Sequence, residues 1–77
     1  MEINILSFGQ IADIFGNNSF KLSNIHSTTE LINYLSQKFP QLTTSDYVLA
    51  VNQKIISQPT ELKENDTIAF LPPFSGG

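Results

Sequence analysis

The sequence predicts an α+β domain in which a mixed β-sheet is covered by one main helix and an extended tail follows the last strand. Three observations carry this. Short apolar segments with a two-residue period recur from Ile3 to Phe8, in NSFKLSN, in YVLAVN and in TIAFL, as strands of a small sheet should. Residues 27–39 alone sustain apolar spacing of three and four over a longer stretch, the pattern of an amphipathic helix. With 77 residues, 40% of them hydrophobic, the chain is expected to bury one small core, residues 1–71 forming the domain and 72–77 the tail.

Taken in order, the first strand places Ile3 and Ile5 on one phase and Leu6 and Phe8 on the other. A strand apolar on both faces is central or hides its second face against something else. In GQIADIFG, Ile11, Ile14 and Phe15 lie three and four apart between Gly9 and Gly16, enough for a helical turn or two that needs packing to persist. Asn17 and Asn18 supply a turn into a short strand with Phe20 and Leu22 in phase.

The main helix has a written start, because Ser27 and Glu30 stand three apart as a capping box. Leu31, Ile32, Tyr34, Leu35 and Phe39 then fall in one apolar arc, and Pro40 forces Phe39 out of helical geometry. YVLAVN reads as a strand and QKII as a brief return; SQPTELKEND reads as turns. In TIAFL, Ile68 and Phe70 share one face while Ala69 and Leu71 share the other. One amphipathic helix among these strands needs a sheet face to cover. The order suits a β-grasp arrangement, and other split α+β rolls share it.

Composition excludes more than it specifies. Without Cys there is no disulfide, thiolate zinc site or thiol nucleophile. The net charge is −3, the four Lys are scattered and there is no Arg, which argues against a nucleic-acid partner. MEINILSF lacks the basic start of a signal peptide and no window has the ~20 apolar residues of a membrane span, so a cytoplasmic location without membrane contact is expected. His26 precedes the main helix with no neighbouring ligand cluster in sequence, so no metal site is expected. Asp46, Asp66, Glu61 and Glu64 read as solvated loop residues. Phe15, Phe20 and Phe39 read as core, and Phe70 shares the phase of Ile68. Phe8 and Phe74 have no evident core to enter, which points to a partner surface.

The last stretch, FLPPFSGG, is the most unusual. Pro72 and Pro73 lack amide donors and fix φ, so sheet pairing should stop near Leu71 and the chain leave extended. The six residues from Pro72 to Gly77 span up to roughly 20 Å. Gly76 and Gly77 have no Cβ and fit a slot closed to other residues. The group delivered at the end of this arm is the Gly77 carboxylate. It is unreactive until activated, most simply as an acyl adenylate, after which it accepts sulfur or an amine.

FLPPFSGG, LKENDTIA before it, LAVNQKII farther back and ILSFGQIADIFG at the start resemble the small-subunit sulfur carriers of molybdopterin synthase, a ubiquitin-like family, over nearly the whole chain. The resemblance implies a β-grasp fold and a chain that is not itself an enzyme. It implies a Gly77 adenylated by a partner enzyme with ATP, converted to a thiocarboxylate and inserted into a large subunit. There sulfur passes to cyclic pyranopterin monophosphate, two transfers building the molybdopterin dithiolene. By the same resemblance Gly76 gives clearance, and Ser75, Phe74, Pro73 and Pro72 form the threading stalk. Phe8, Ala69, Leu71 and Phe74 face the partner in a heterotetramer, and this chain binds no cofactor of its own. Ser7 stands where the family often has a second aromatic, and Asn65 where it often has glycine. Related carriers for thiamine or tRNA thiolation, and protein-modifier tags, share the activation step and remain alternatives.

Overall fold

The computed structural model describes residues 1–73. Its strands are β1 (Glu2–Ser7), β2 (Ser19–Ser23), β3 (Val48–Val51), β4 (Lys54–Ile56) and β5 (Thr67–Leu71). Its helices are α1 (Gly9–Phe15) and α2 (Thr28–Lys38), with a short 3-10 helix at Pro40–Thr44. The strands form one sheet in the order β2-β1-β5-β3-β4. β1 and β5 lie side by side and parallel, with Ile5 opposite Ile68; the remaining pairs are antiparallel. Parallel neighbours require a long crossover, and everything between them in sequence supplies it. β1 is an interior strand, flanked by β2 and β5, in keeping with its two apolar phases, while β5 holds the middle of the sheet.

One face of the sheet carries the core. Ile3 and Ile5 from β1, Leu49 from β3, and Ile68 and Phe70 from β5 pack with Ile11, Phe15, Leu31 and Leu35 from the helices. Phe15 organises the aromatic part, its ring centroid 5.5 Å from Phe20, 5.1 Å from Phe39 and 5.3 Å from Phe70. Two helices therefore contribute, the sequence having indicated one main helix and a turn or two at GQIADIFG. α1 lasts seven residues and ends where Gly16 takes φ +79° and donates its N–H to Ala12 O at 2.9 Å, a left-handed stop that glycine adopts without strain.

The capping box forms with one change. Ser27 Oγ accepts from Glu30 N at 3.1 Å, but Glu30 Oε1 accepts from His26 N at 2.9 Å, one residue before the cap. Phe39 leaves helical geometry at φ −128°, as the following proline requires. Leu31 and Leu35 are fully buried, whereas Tyr34 lies outside the buried arc, exposed beside Lys38 Nζ, 6.0 Å from its ring centroid. An amphiphilic tyrosine at a helix border keeps its polar end wet.

The segment read as surface turns does more than turn. Leu62 is buried in the core, its N–H donates to His26 O at 2.9 Å, and Glu61 bridges to Ser27. Thr28 and Thr60 bond twice, Thr28 N to Thr60 O and Thr60 N to Thr28 Oγ1, both at 2.9 Å. This irregular strip is stitched to the start of α2 and so fixes how the helix meets the sheet. Ile25, between β2 and α2, and Leu42, on the 3-10 helix, are likewise core residues.

Candidate functional site: the open face of the sheet and the exit of β5

Alternation along the central strands decides what the uncovered face presents. With Ile3, Ile5 and Ser7 turned to the core, Asn4, Leu6 and Phe8 take the opposite phase; with Ile68 and Phe70 inward, Thr67, Ala69 and Leu71 are opposite. Strand register then aligns them into rows. Leu6 lies opposite Ala69, Ala69 opposite Ala50, and Ala50 opposite Ile55, so one apolar row crosses four strands. Val48 lies opposite Leu71 in the next row. Phe8, just past β1, donates its N–H to Phe70 O at 3.3 Å, which holds it beside the end of β5.

This face is apolar where water reaches it. Phe8 is 46% exposed and Ile55 54%, the two most exposed large hydrophobic residues of the described chain. Among the described residues, no helix lies over them. Contiguous apolar surface of this kind on a small domain marks a contact site. Phe8, Ala69 and Leu71, expected to share a surface, do share one; Leu6 belongs to it by phase. Val48 and Ile55 extend it, with Ala50, though only 4% exposed, in the row between Ala69 and Ile55. The signal for these last three was the doubly apolar run YVLAVN and the following isoleucine pair, whose facing could not be assigned without the register.

Ser7 is not part of this surface. It is 1% exposed on the core phase, with its hydroxyl donating to Asn17 O at 2.9 Å. The residue at this position therefore belongs to the core side of β1.

A polar rim borders the open face at the β3–β4 turn. The loop between Val51 and Lys54 has two residues, Asn52 at φ +50° and Gln53 at φ +72°, the doubly left-handed turn that a tight hairpin needs. Asn52 Nδ2 donates to Asp66 Oδ1 at 2.8 Å, and Asn52 Oδ1 accepts from Thr67 N at 2.9 Å. Asp66 Oδ2 accepts from Lys63 N at 2.7 Å. Donation from Asn52 first, then from the Lys63 backbone, holds the Asp66 carboxyl below the ordinary aspartate range. Asp66, read from sequence as a solvated loop residue, is a structural acceptor. Asn65 takes φ +68° and donates its N–H to Glu2 O at 2.7 Å, filling the left-handed role that glycine would otherwise fill.

His26 is exposed and lies 3.4 Å, Nδ1 to Oε1, from Glu30. Among the described residues no His, Cys, Asp or Glu cluster is suited to a metal, and no helix is long and apolar enough to cross a membrane. Pro72 and Pro73 follow β5 without sheet pairing and are exposed, as expected of a chain leaving the domain. Phe74, Ser75, Gly76 and Gly77 lie outside the described residues.

Comparison with known proteins agrees with this arrangement. A profile of the ThiS family matches residues 5–77. The molybdopterin synthase sulfur carrier subunit of Dictyostelium discoideum is 34% identical, the match covering 99% of this chain and 96% of that protein. Among solved structures, a putative molybdopterin converting factor subunit 1 from Pyrococcus furiosus superposes with a TM-score of 0.86 at 17% identity, over 96% of this chain and 99% of that one. A chain from the complex of subunits 1 and 2 of molybdopterin-converting factor from Helicobacter pylori is 28% identical with a TM-score of 0.74, both chains fully covered. By the family match over residues 5–77 and by identity to the Dictyostelium carrier over nearly its full length, and with the fold of the Pyrococcus furiosus protein, the chain belongs to the ThiS family of β-grasp sulfur carriers, whose small subunits are themselves non-catalytic.

Proposed function

We propose that this chain is the sulfur carrier of a molybdopterin synthase, with sulfur held as a thiocarboxylate on Gly77. The observation that supports this best is a conjunction. The ThiS-family match runs through residue 77, and an apolar face ends at Leu71, where Pro72 starts the tail. A surface that docks the domain is therefore continuous with the segment that delivers the reacting end. Its relatives in Dictyostelium discoideum and Haemophilus influenzae are molybdopterin synthase sulfur carrier subunits.

The chemistry follows from what a carboxylate needs. An activating enzyme joins the Gly77 carboxylate to the α-phosphorus of ATP and releases pyrophosphate; a sulfur donor displaces AMP from the acyl carbon. This chain needs no nucleotide site of its own. The large subunit then receives the open face through Phe8, Leu71 and Ala69 and the stalk through Pro72 to Gly76. The thiocarboxylate sulfur attacks an oxygen-bearing side-chain carbon of cyclic pyranopterin monophosphate, and the carbon–oxygen bond there breaks with the oxygen leaving as water or with the phosphate. Hydrolysis of the acyl–sulfur bond then leaves sulfur on the pterin and returns the carboxylate. Two such transfers supply the dithiolene. The assembly is a heterotetramer in which two carriers flank a large-subunit dimer.

Intact mass of the protein purified from its own cells tests the reading. Replacement of one terminal oxygen by sulfur supports carriage, and molybdopterin formation with the large subunit and precursor identifies the acceptor. Covalent adducts on lysines of other proteins, with no sulfur at the terminus, would replace it with a tagging role.

A further inference from the structure

Four non-glycine residues of the described chain have positive φ: Asn24, Asn52, Gln53 and Asn65. Three are asparagine, whose short amide bonds its local backbone and tolerates this region. Gln53 is the exception. Its longer side chain loses that local compensation, and at the second position of such a two-residue turn glycine is the unstrained choice. Backbone demand therefore selects against glutamine here, and the reason for it lies in the side chain.

The position of that side chain supplies the reason. Gln53 lines a hollow of about 290 Å³ together with Leu6, Ala69, Thr67 and Asn52. Leu6 and Ala69 belong to the apolar row of the open face, and the small Ala69 leaves the space. Asn52 has spent its amide on Asp66 and Thr67. Gln53 is exposed and makes no side-chain hydrogen bond among the described residues. The hollow thus has an apolar floor and one uncommitted amide able to donate and accept at once.

We propose that Gln53 is a specificity-determining residue of the docking face. An apolar side chain of the large subunit enters the hollow over Leu6 and Ala69, and the Gln53 amide pairs with the peptide group next to it. The strained turn is the means of holding that amide at the rim. The inference rests on the reading that the open face docks the large subunit.

Two quantities with opposite expected signs test it. Gln53→Gly and Gln53→Asn both relieve the turn, so each should raise the melting temperature of the free carrier, Gln53→Gly by about 4–8 °C. Each should also weaken binding to the purified large subunit, measured by calorimetry, by about tenfold, because the amide is lost or falls short. A structural role alone would move stability and affinity together. Undiminished affinity in Gln53→Gly, while Phe8→Ala weakens binding, overturns the role of Gln53 and leaves the docking face standing. Undiminished affinity in both variants overturns both readings. A lower melting temperature for Gln53→Gly overturns the argument from strain.

Discussion

Asn52 and Asp66 meet side chain to side chain, Nδ2 donating to Oδ1 at 2.8 Å, and this contact ties the β3–β4 turn to the start of β5. The same aspartate accepts from the Lys63 amide, and the same asparagine accepts from Thr67 N. The β3–β4 turn and the stretch from Lys63 to Thr67 are therefore held together at the polar rim of the open face by one carboxylate and one amide side chain.

That carboxylate makes stability sensitive to acid. These bonds favour the ionised form and lower the Asp66 pKa. A depressed native pKa means the contribution is fully present above the unfolded value and is lost as pH falls through the folded one, here below about 4. Denaturation midpoints followed from neutral pH to about pH 2 should fall less steeply in Asp66→Asn than in the wild type below that point. Parallel curves would remove Asp66 as a source of the acid dependence.

Leu35 is fully buried beneath α2, so Leu35→Ala should destabilise the domain by about 2 to 4 kcal/mol through lost burial and a cavity. Ser27→Ala removes the acceptor of the Glu30 amide and should cost about 1 kcal/mol. Urea unfolding of the two variants checks both values; an unmoved midpoint for Leu35→Ala contradicts the packing of the helix on the sheet.

Phe8 contributes to the open face and not to the core. Phe8→Ala should leave the unfolding midpoint within about 0.5 kcal/mol of wild type, as surface changes do. It should weaken binding to the large subunit by about 2 kcal/mol, as for a buried aromatic anchor. Calorimetry gives the second value, and equal affinity in the two proteins would take Phe8 out of the interface. Phe74→Ala is expected to act the same way on binding.

The tail predictions concern length and clearance. Deleting Gly77 retracts the carboxylate by up to roughly 3.3 Å, and Gly76→Val adds a branched side chain to a slot inferred to be narrow. Both variants should fold and dock, yet fail to become thiocarboxylated or to form molybdopterin, since positioning errors of about 1 Å already cost large factors in rate. Intact mass after incubation with the activating enzyme, ATP and a sulfur donor reads the first step; product formation with the large subunit reads the second. Wild-type turnover by the Gly77 deletion would sink the idea of a length-gauged carrier.

Much of this protein is local, and local features are what a sequence displays. Alternation assigned Ile3 and Ile5 to one face and Phe8 to the other, since side chains on a strand can point only two ways. The Ser27–Glu30 box and Pro40 marked both ends of α2 because caps and prolines act within a turn of where they stand. Asn65 could be assigned a left-handed role from its place in a turn. The unusual end of the chain directed attention to Gly77, because two prolines and two glycines restrict or free the backbone whatever surrounds them.

What tertiary structure alone decided depends on pairing between distant segments. Parallel register of β1 with β5 and antiparallel register of β3 with β5 turned Leu6, Ala69, Ala50 and Ile55 into one row, and no local period states which strand lies beside which. Ser7 shares the phase of Ile3 and Ile5, but only the fold brings Asn17 O to where it accepts the buried hydroxyl. Leu62 looked like part of a solvated turn because its buried neighbours come from elsewhere in the chain. The rim at Asn52, Gln53 and Asp66 likewise required the fold, since a hydrogen bond spanning fourteen residues leaves no periodic trace in sequence and forms only when the sheet has set the distance.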